Sequence, residues 1–106
     1  MEQEDLEVWE REISSRVEYL EQEAEKLEQR IKKAEYKDYI MSSAMNKFAD
    51  DEAQVDFIKH NYLNESNETV KSLNEEYEVI IKELKFQNAV LQQIERANAV
   101  LKEDED

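Results

Sequence analysis

Three residue types are missing altogether: the chain contains no cysteine, no glycine and no proline. Without cysteine there is no disulfide, no thiolate nucleophile and no cysteine-ligated zinc, and the redox compartment is left open. Glycine and proline serve tight turns, strand bulges, phosphate-cradling loops and sharp helix ends. Their absence argues against a β-rich or α/β fold and removes nucleotide-binding loops and the EF-hand loop with its required glycine. Apolar runs are short as well, and none approaches the roughly 20 residues of a membrane span. The opening Met1-Glu2-Gln3-Glu4-Asp5 lacks the basic and apolar character of a secretory signal. An intracellular protein, cytoplasmic or nuclear, is therefore expected. On that expectation Asn64-Glu65-Ser66 and Asn67-Glu68-Thr69, which match the glycosylation acceptor pattern, read as turn or helix-cap chemistry.

What is abundant is charge. Of 106 residues 40% are charged, with 28 acids against 14 bases for a net charge of −14. The excess runs along the whole chain: 12 acids and 6 bases in residues 1–35, 6 and 3 in 36–66, 10 and 5 in 67–106. A surface of this kind repels nucleic-acid phosphates and anionic membranes and attracts basic proteins. It also leaves little material for a broad core.

The apolar residues that exist are ordered. Val17, Leu20, Ala24, Leu27, Ile31 and Ala34 recur in alternating steps of three and four, the seam of an amphipathic helix that needs a partner seam. Leu6, Trp9 and Ile13 start the stripe, and the four-residue step from Ile13 to Val17 is a stutter that sets Trp9 on a separate patch. A second seam runs through Leu63, Val70, Leu73, Tyr77, Ile80, Leu84, Gln87, Leu91, Ile94, Asn98 and Leu101. Its two polar members, Gln87 and Asn98, are of the kind that set register at a cost in stability.

The pattern predicts an all-α fold: a long antiparallel helical hairpin, coiled-coil-like, with a short connecting helix, completing a bundle by oligomerisation. A single helical domain over 1–106 is expected, with helices at about 3–48, 51–62 and 67–102 and a frayed acidic tail at 103–106. Asp51-Glu52-Ala53-Gln54 fits a capping box for the middle helix, which would present Val55, Phe57, Ile58 and Tyr62 to the core. A break is expected in the cluster Asn61, Asn64, Ser66 and Asn67, the turn-formers open to a chain without glycine or proline. Antiparallel matching of the seams favours Val17 against Ile94, Leu27 against Leu84, Ala34 against Tyr77 and Met41 against Val70. Arg30 would then approach Glu83, and Lys37 would approach Glu76. A parallel dimer of extended helices is the rival arrangement.

Chemistry finds few candidates. His60 and Asp56 share a helical face but lack a serine, cysteine or metal-ligand motif beside them, and Asp50-Asp51-Glu52 reads as a cap. No catalytic residue, metal site or cofactor is expected, and neither is direct binding to nucleic acid or membrane. The expected function is that of a non-enzymatic helical interaction protein, a subunit, adapter or spacer in a larger assembly. Its partner-binding residues would be the apolar ones surplus to the seam: Trp9, Ile13, Phe57, Phe86, Val90 and Val100. The partners would be proteins, in a homo- or hetero-oligomer, with basic surfaces among them. The alternative is an acidic decoy that mimics nucleic acid toward a DNA- or RNA-binding protein, using Glu18, Glu21, Glu25, Glu28 and Glu35 as its face.

Overall fold

The structure is a computed structural model and describes residues 2–104. It is an all-α helical hairpin, and no strand occurs among the described residues. Helix α1 spans Gln3–Asn46. Helix α2 (Glu52–Ile58) passes through a π-helical turn (Lys59–Leu63) into helix α3 (Asn64–Asp104) without a break.

Local chemistry starts and stops these elements. At the head of α1 the Asp5 carboxylate accepts from the backbone N–H of Glu2 at 3.3 Å, the returning half of a capping box. Glu4 and Asp5 also place negative charge at the positive end of the helix dipole. At the other end the N–H groups of Lys47, Phe48 and Ala49 donate to carbonyls three residues back, at 3.2, 2.9 and 3.3 Å. Asp51 then donates to Phe48 at 2.8 Å. This tightened winding satisfies the last carbonyls of α1, a task often given to a left-handed glycine. Among the described residues none has a positive φ, so the reversal is made in right-handed and extended backbone alone. Asp51, in extended conformation, caps α2 by accepting from the Gln54 N–H at 3.2 Å.

The expected break at Asn61–Asn67 is absent, and in its place is the π-turn. The His60 Nδ1–H donates to the Asp56 carbonyl at 2.8 Å, and the Asn61 amide donates to the Phe57 carbonyl at 2.8 Å. These side chains take the acceptors that backbone N–H groups four residues on would use. The Asn64 N–H reaches back five residues to Lys59. The wider turn absorbs one extra residue, and the burial pattern shows what this achieves. Leu63 and Leu73 are buried, and Ser66 and Val70 are half-buried. Counting back by an ordinary helical step from Leu63 would put Lys59 and Asp56 on the core side, but the five-residue step brings Ile58 and Val55 there instead, both half-buried. The same rotation leaves Phe57 and Tyr62 52% and 53% exposed, so only two of the four residues expected to face the core from this segment do so.

Contacts group the chain into two compact units, one made of residues 1–24 with 79–106 and one of residues 25–78. In the first, Leu6, Val17, Leu20 and Ala24 of α1 are buried with Ile94 and Asn98 of α3. In the second, Leu27 and Ile31 are buried with Leu63 and Leu73. Both cores are thin. Leu20 and Ile94 are the most deeply withdrawn, each 3% exposed, and burial of such a side chain contributes about 1.5–3 kcal/mol.

The seam residues are those the sequence predicts, but their register differs. Tyr77 donates to the Glu28 carboxylate at 2.6 Å, Asn98 to the Glu10 carboxylate at 2.8 Å, and Arg16 lies 3.6 Å from Glu83. The expected register put Tyr77 opposite Ala34, Asn98 opposite Ile13 and Glu83 beside Arg30. Each contact is therefore displaced toward the start of α1, by six residues for Tyr77, three for Asn98 and fourteen for Glu83. A heptad pattern slid by seven residues still sets apolar on apolar, so the seams alone leave such registers nearly degenerate. The turn decides between them. Because residues 52–66 prolong the returning helix and do not pack separately across the closed end, every later residue of α3 lies further from the reversal. It then meets an earlier residue of α1.

Glu103 and Asp104 belong to α3, where a frayed tail was expected, and the remainder of that tail lies outside the described residues.

Candidate functional site: two interhelical grooves

The first unit carries an apolar groove of about 370 Å³ along one side of its helix pair, with Leu6 and Trp9 on the α1 wall and Phe86, Val90 and Ala97 on the α3 wall. Helical spacing builds both walls. On α1, Leu6 points into the pair and Trp9, three residues on, stands at its edge, 40% exposed. On α3, Phe86, Val90, Gln93, Ala97 and Val100 follow one another in steps of four, three, four and three. This is a complete second seam beside the one that faces α1. Phe86 is 62% exposed and Val100 56%.

The six residues expected to bind a partner are thus divided. Trp9, Phe86 and Val90 come together in this groove. Ile13 is half-buried and does not line it, because its position falls within the packed stripe of α1. Val100 lies further along the same α3 seam. Phe57 belongs to the second unit, where its ring meets Tyr62 edge-on with centroids 6.4 Å apart and planes at 68°. Leu6 and Ala89 also line the groove and lie outside those six. Extending the α3 seam through Gln93 is the signal that points to this wall.

The second unit holds another groove, of about 500 Å³, between α1 and the start of α3. Arg30, Lys33 and Lys37 form one wall, spaced three and four residues apart, while Tyr62, Ser66 and Thr69 face them. In the sequence Arg30 and Lys33 merely interrupt an acidic face. The fold gathers them with Lys37 into a local basic strip.

Polar groups inside the pair are few and specific. Asn98 is buried, and its Oδ1 has no partner while its amide nitrogen donates to Glu10. Gln87 donates to Glu83 on its own helix at 3.0 Å and also leaves its oxygen unpartnered. The Tyr77 hydroxyl has its pKa raised above 10.0, first by its hydrogen bond to Glu28, then by burial and by the carboxylate's charge. The His60 imidazole bonds to the Asp56 backbone carbonyl and not to its carboxylate. Among the described residues no group of three or more His, Cys, Asp or Glu side chains is placed to hold a metal ion. No helix there is long and apolar enough to cross a membrane. No family model, curated protein or solved structure matches this chain.

Proposed function

We propose that this chain is a non-catalytic helical interaction protein, a subunit or adapter that works by lending the open side of its hairpin to a helical bundle. The observation that carries the reading is the apolar groove of Trp9, Phe86 and Val90 beside a thin core. A large aromatic and a second complete seam left in contact with water cost free energy that a monomer recovers nowhere, whereas a docked helix would cover both. Trp is among the side chains that most often dominate binding energy, and Phe is enriched at the cores of interfaces.

The acidic surface suits this role in a secondary way, by keeping a chain with exposed apolar seams dispersed and by steering basic partners toward it.

The test compares wild-type protein with Trp9→Ala and Phe86→Glu variants, each checked for unchanged helicity by circular dichroism. Affinity capture from a native extract should retain a protein on the wild type that both variants lose. That protein, purified, should bind with an affinity lowered at least about tenfold by either substitution. Equal binding by all three forms would overturn the reading.

A further inference from the structure

Within the first unit the α1 segment is strongly acidic and the α3 segment is balanced, with basic side chains of α3 gathered on one rim of the groove. Residues 2–24 hold nine acids and two bases, whereas residues 79–104 hold four of each. Asp5 and Glu12 flank Trp9 one helical turn to either side, on the outer edge of α1, and both are exposed. On α3 the edge row through Ala89 holds Lys82, Lys85 and Arg96, also exposed, and ends in the exposed Glu103. Among the described residues neither Lys85 nor Arg96 makes an ion pair within the chain. One groove therefore has an acidic rim and a rim that is basic from Lys82 to Arg96, running in opposite chain directions.

We infer that the occupant of this groove is a second copy of the chain, related by a twofold axis along the groove, so that the two hairpins close into a four-helix bundle. This rests on the interaction reading above and names its partner. A twofold along the pair sets α1 of one copy antiparallel to α3 of the other at the same level. Asn98 bonds to Glu10, so Arg96, two residues before Asn98, lies near the level of Glu12, two residues after Glu10. Across the axis, the Arg96 guanidinium of each copy meets the acidic edge of the other. The alternative twofold, which faces α1 with α1 and α3 with α3, would set acid on acid and base on base. A net charge of −14 on each copy resists association in general. On the opposed rims close approach brings unlike charges together, and this chooses between the two symmetric packings.

Two charge-reversed full-length variants test this by sedimentation equilibrium from about 1 to 100 µM, with helicity followed by circular dichroism. Wild type should dimerise and Phe86→Glu should not. Arg96→Glu alone places acid opposite acid, and Glu12→Arg alone places base opposite base, so each should weaken dimerisation at least about tenfold. An equimolar mixture should recover dimers to within about threefold of wild type, because each variant then meets its complement on both rims. A wild-type chain that stays monomeric at 100 µM overturns self-pairing. So does a mixture that associates no better than its components, and so does a higher oligomer. A monomeric wild type that still captures a protein lost by Phe86→Glu would remove the second copy and keep the interaction reading. If that capture difference also vanished, both would fall.

Discussion

Asn98 shows how one side chain can select a register. It is buried at a seam position, it gives its amide to Glu10, and its oxygen goes unpaired. A leucine there would bury more apolar area and remove the orphaned oxygen, at the loss of one cross-helix hydrogen bond. Asn98→Leu should therefore raise stability by about 1 kcal/mol, seen as a higher midpoint in thermal melting followed by circular dichroism. It should also loosen the choice between registers one heptad apart, which broadened amide resonances in the first unit would report. Tyr77 makes the equivalent contact in the second unit, and its proton carries a pH dependence. The Glu28 carboxylate favours the protonated hydroxyl, so the folded-state pKa lies above the ordinary 10.0. Stability from this bond is complete below pH 10 and is lost as pH rises through the raised value. In an ultraviolet titration of tyrosinate, Tyr77→Phe should remove a step that lies above pH 10. A variant that loses a step at or below pH 10 would refute the assignment.

At the scale of elements, the π-turn makes a prediction that an uninterrupted helix would not. It absorbs one residue between Ile58 and Leu63 and so keeps Val55 and Ile58 in phase with the seam of α3. Deleting Asn61 should convert it to ordinary helix at a cost of no more than about 1 kcal/mol, since the phase on either side is kept. Deleting Asn74, an exposed residue within regular α3, shifts every residue on one side by about 100° out of phase and should cost several times as much. Urea denaturation of the two variants decides the matter. The same segment marks where reading from sequence stopped. The seams of both long helices were legible because apolar side chains recur at three and four residues regardless of what they pack against. Asp51 as a cap was legible from its own chemistry. The π-turn was not, because a five-residue step looks like a break when read in threes and fours, and His60 and Asn61 look like turn residues. The register error followed from that false break. For the groove, the surplus of Phe86, Val90 and Trp9 was visible, but their meeting on one side of one unit depended on register. The basic strip of Arg30, Lys33 and Lys37 was hidden by the acids between them.

Across the whole molecule, charge sets the terms. With 28 acids and 14 bases the folded chain repels itself, and added salt screens that repulsion more than it weakens the few exposed ion pairs. The thermal midpoint should rise between 10 and 150 mM sodium chloride, and a falling midpoint would mean that attractive pairs dominate. The connectivity of the first unit has a mechanical consequence too. Both ends of the chain belong to it, with Leu6 and Ala97 lining one groove and Glu10 holding Asn98. A load applied through the two ends therefore peels the helices apart one turn at a time, with the Asn98–Glu10 bond among the first to yield. Sliding them past each other would load the whole seam at once. Pulled from its two ends in an optical trap, such a hairpin should give way at low tension and re-form on release, the response of a clasp and not of a strut.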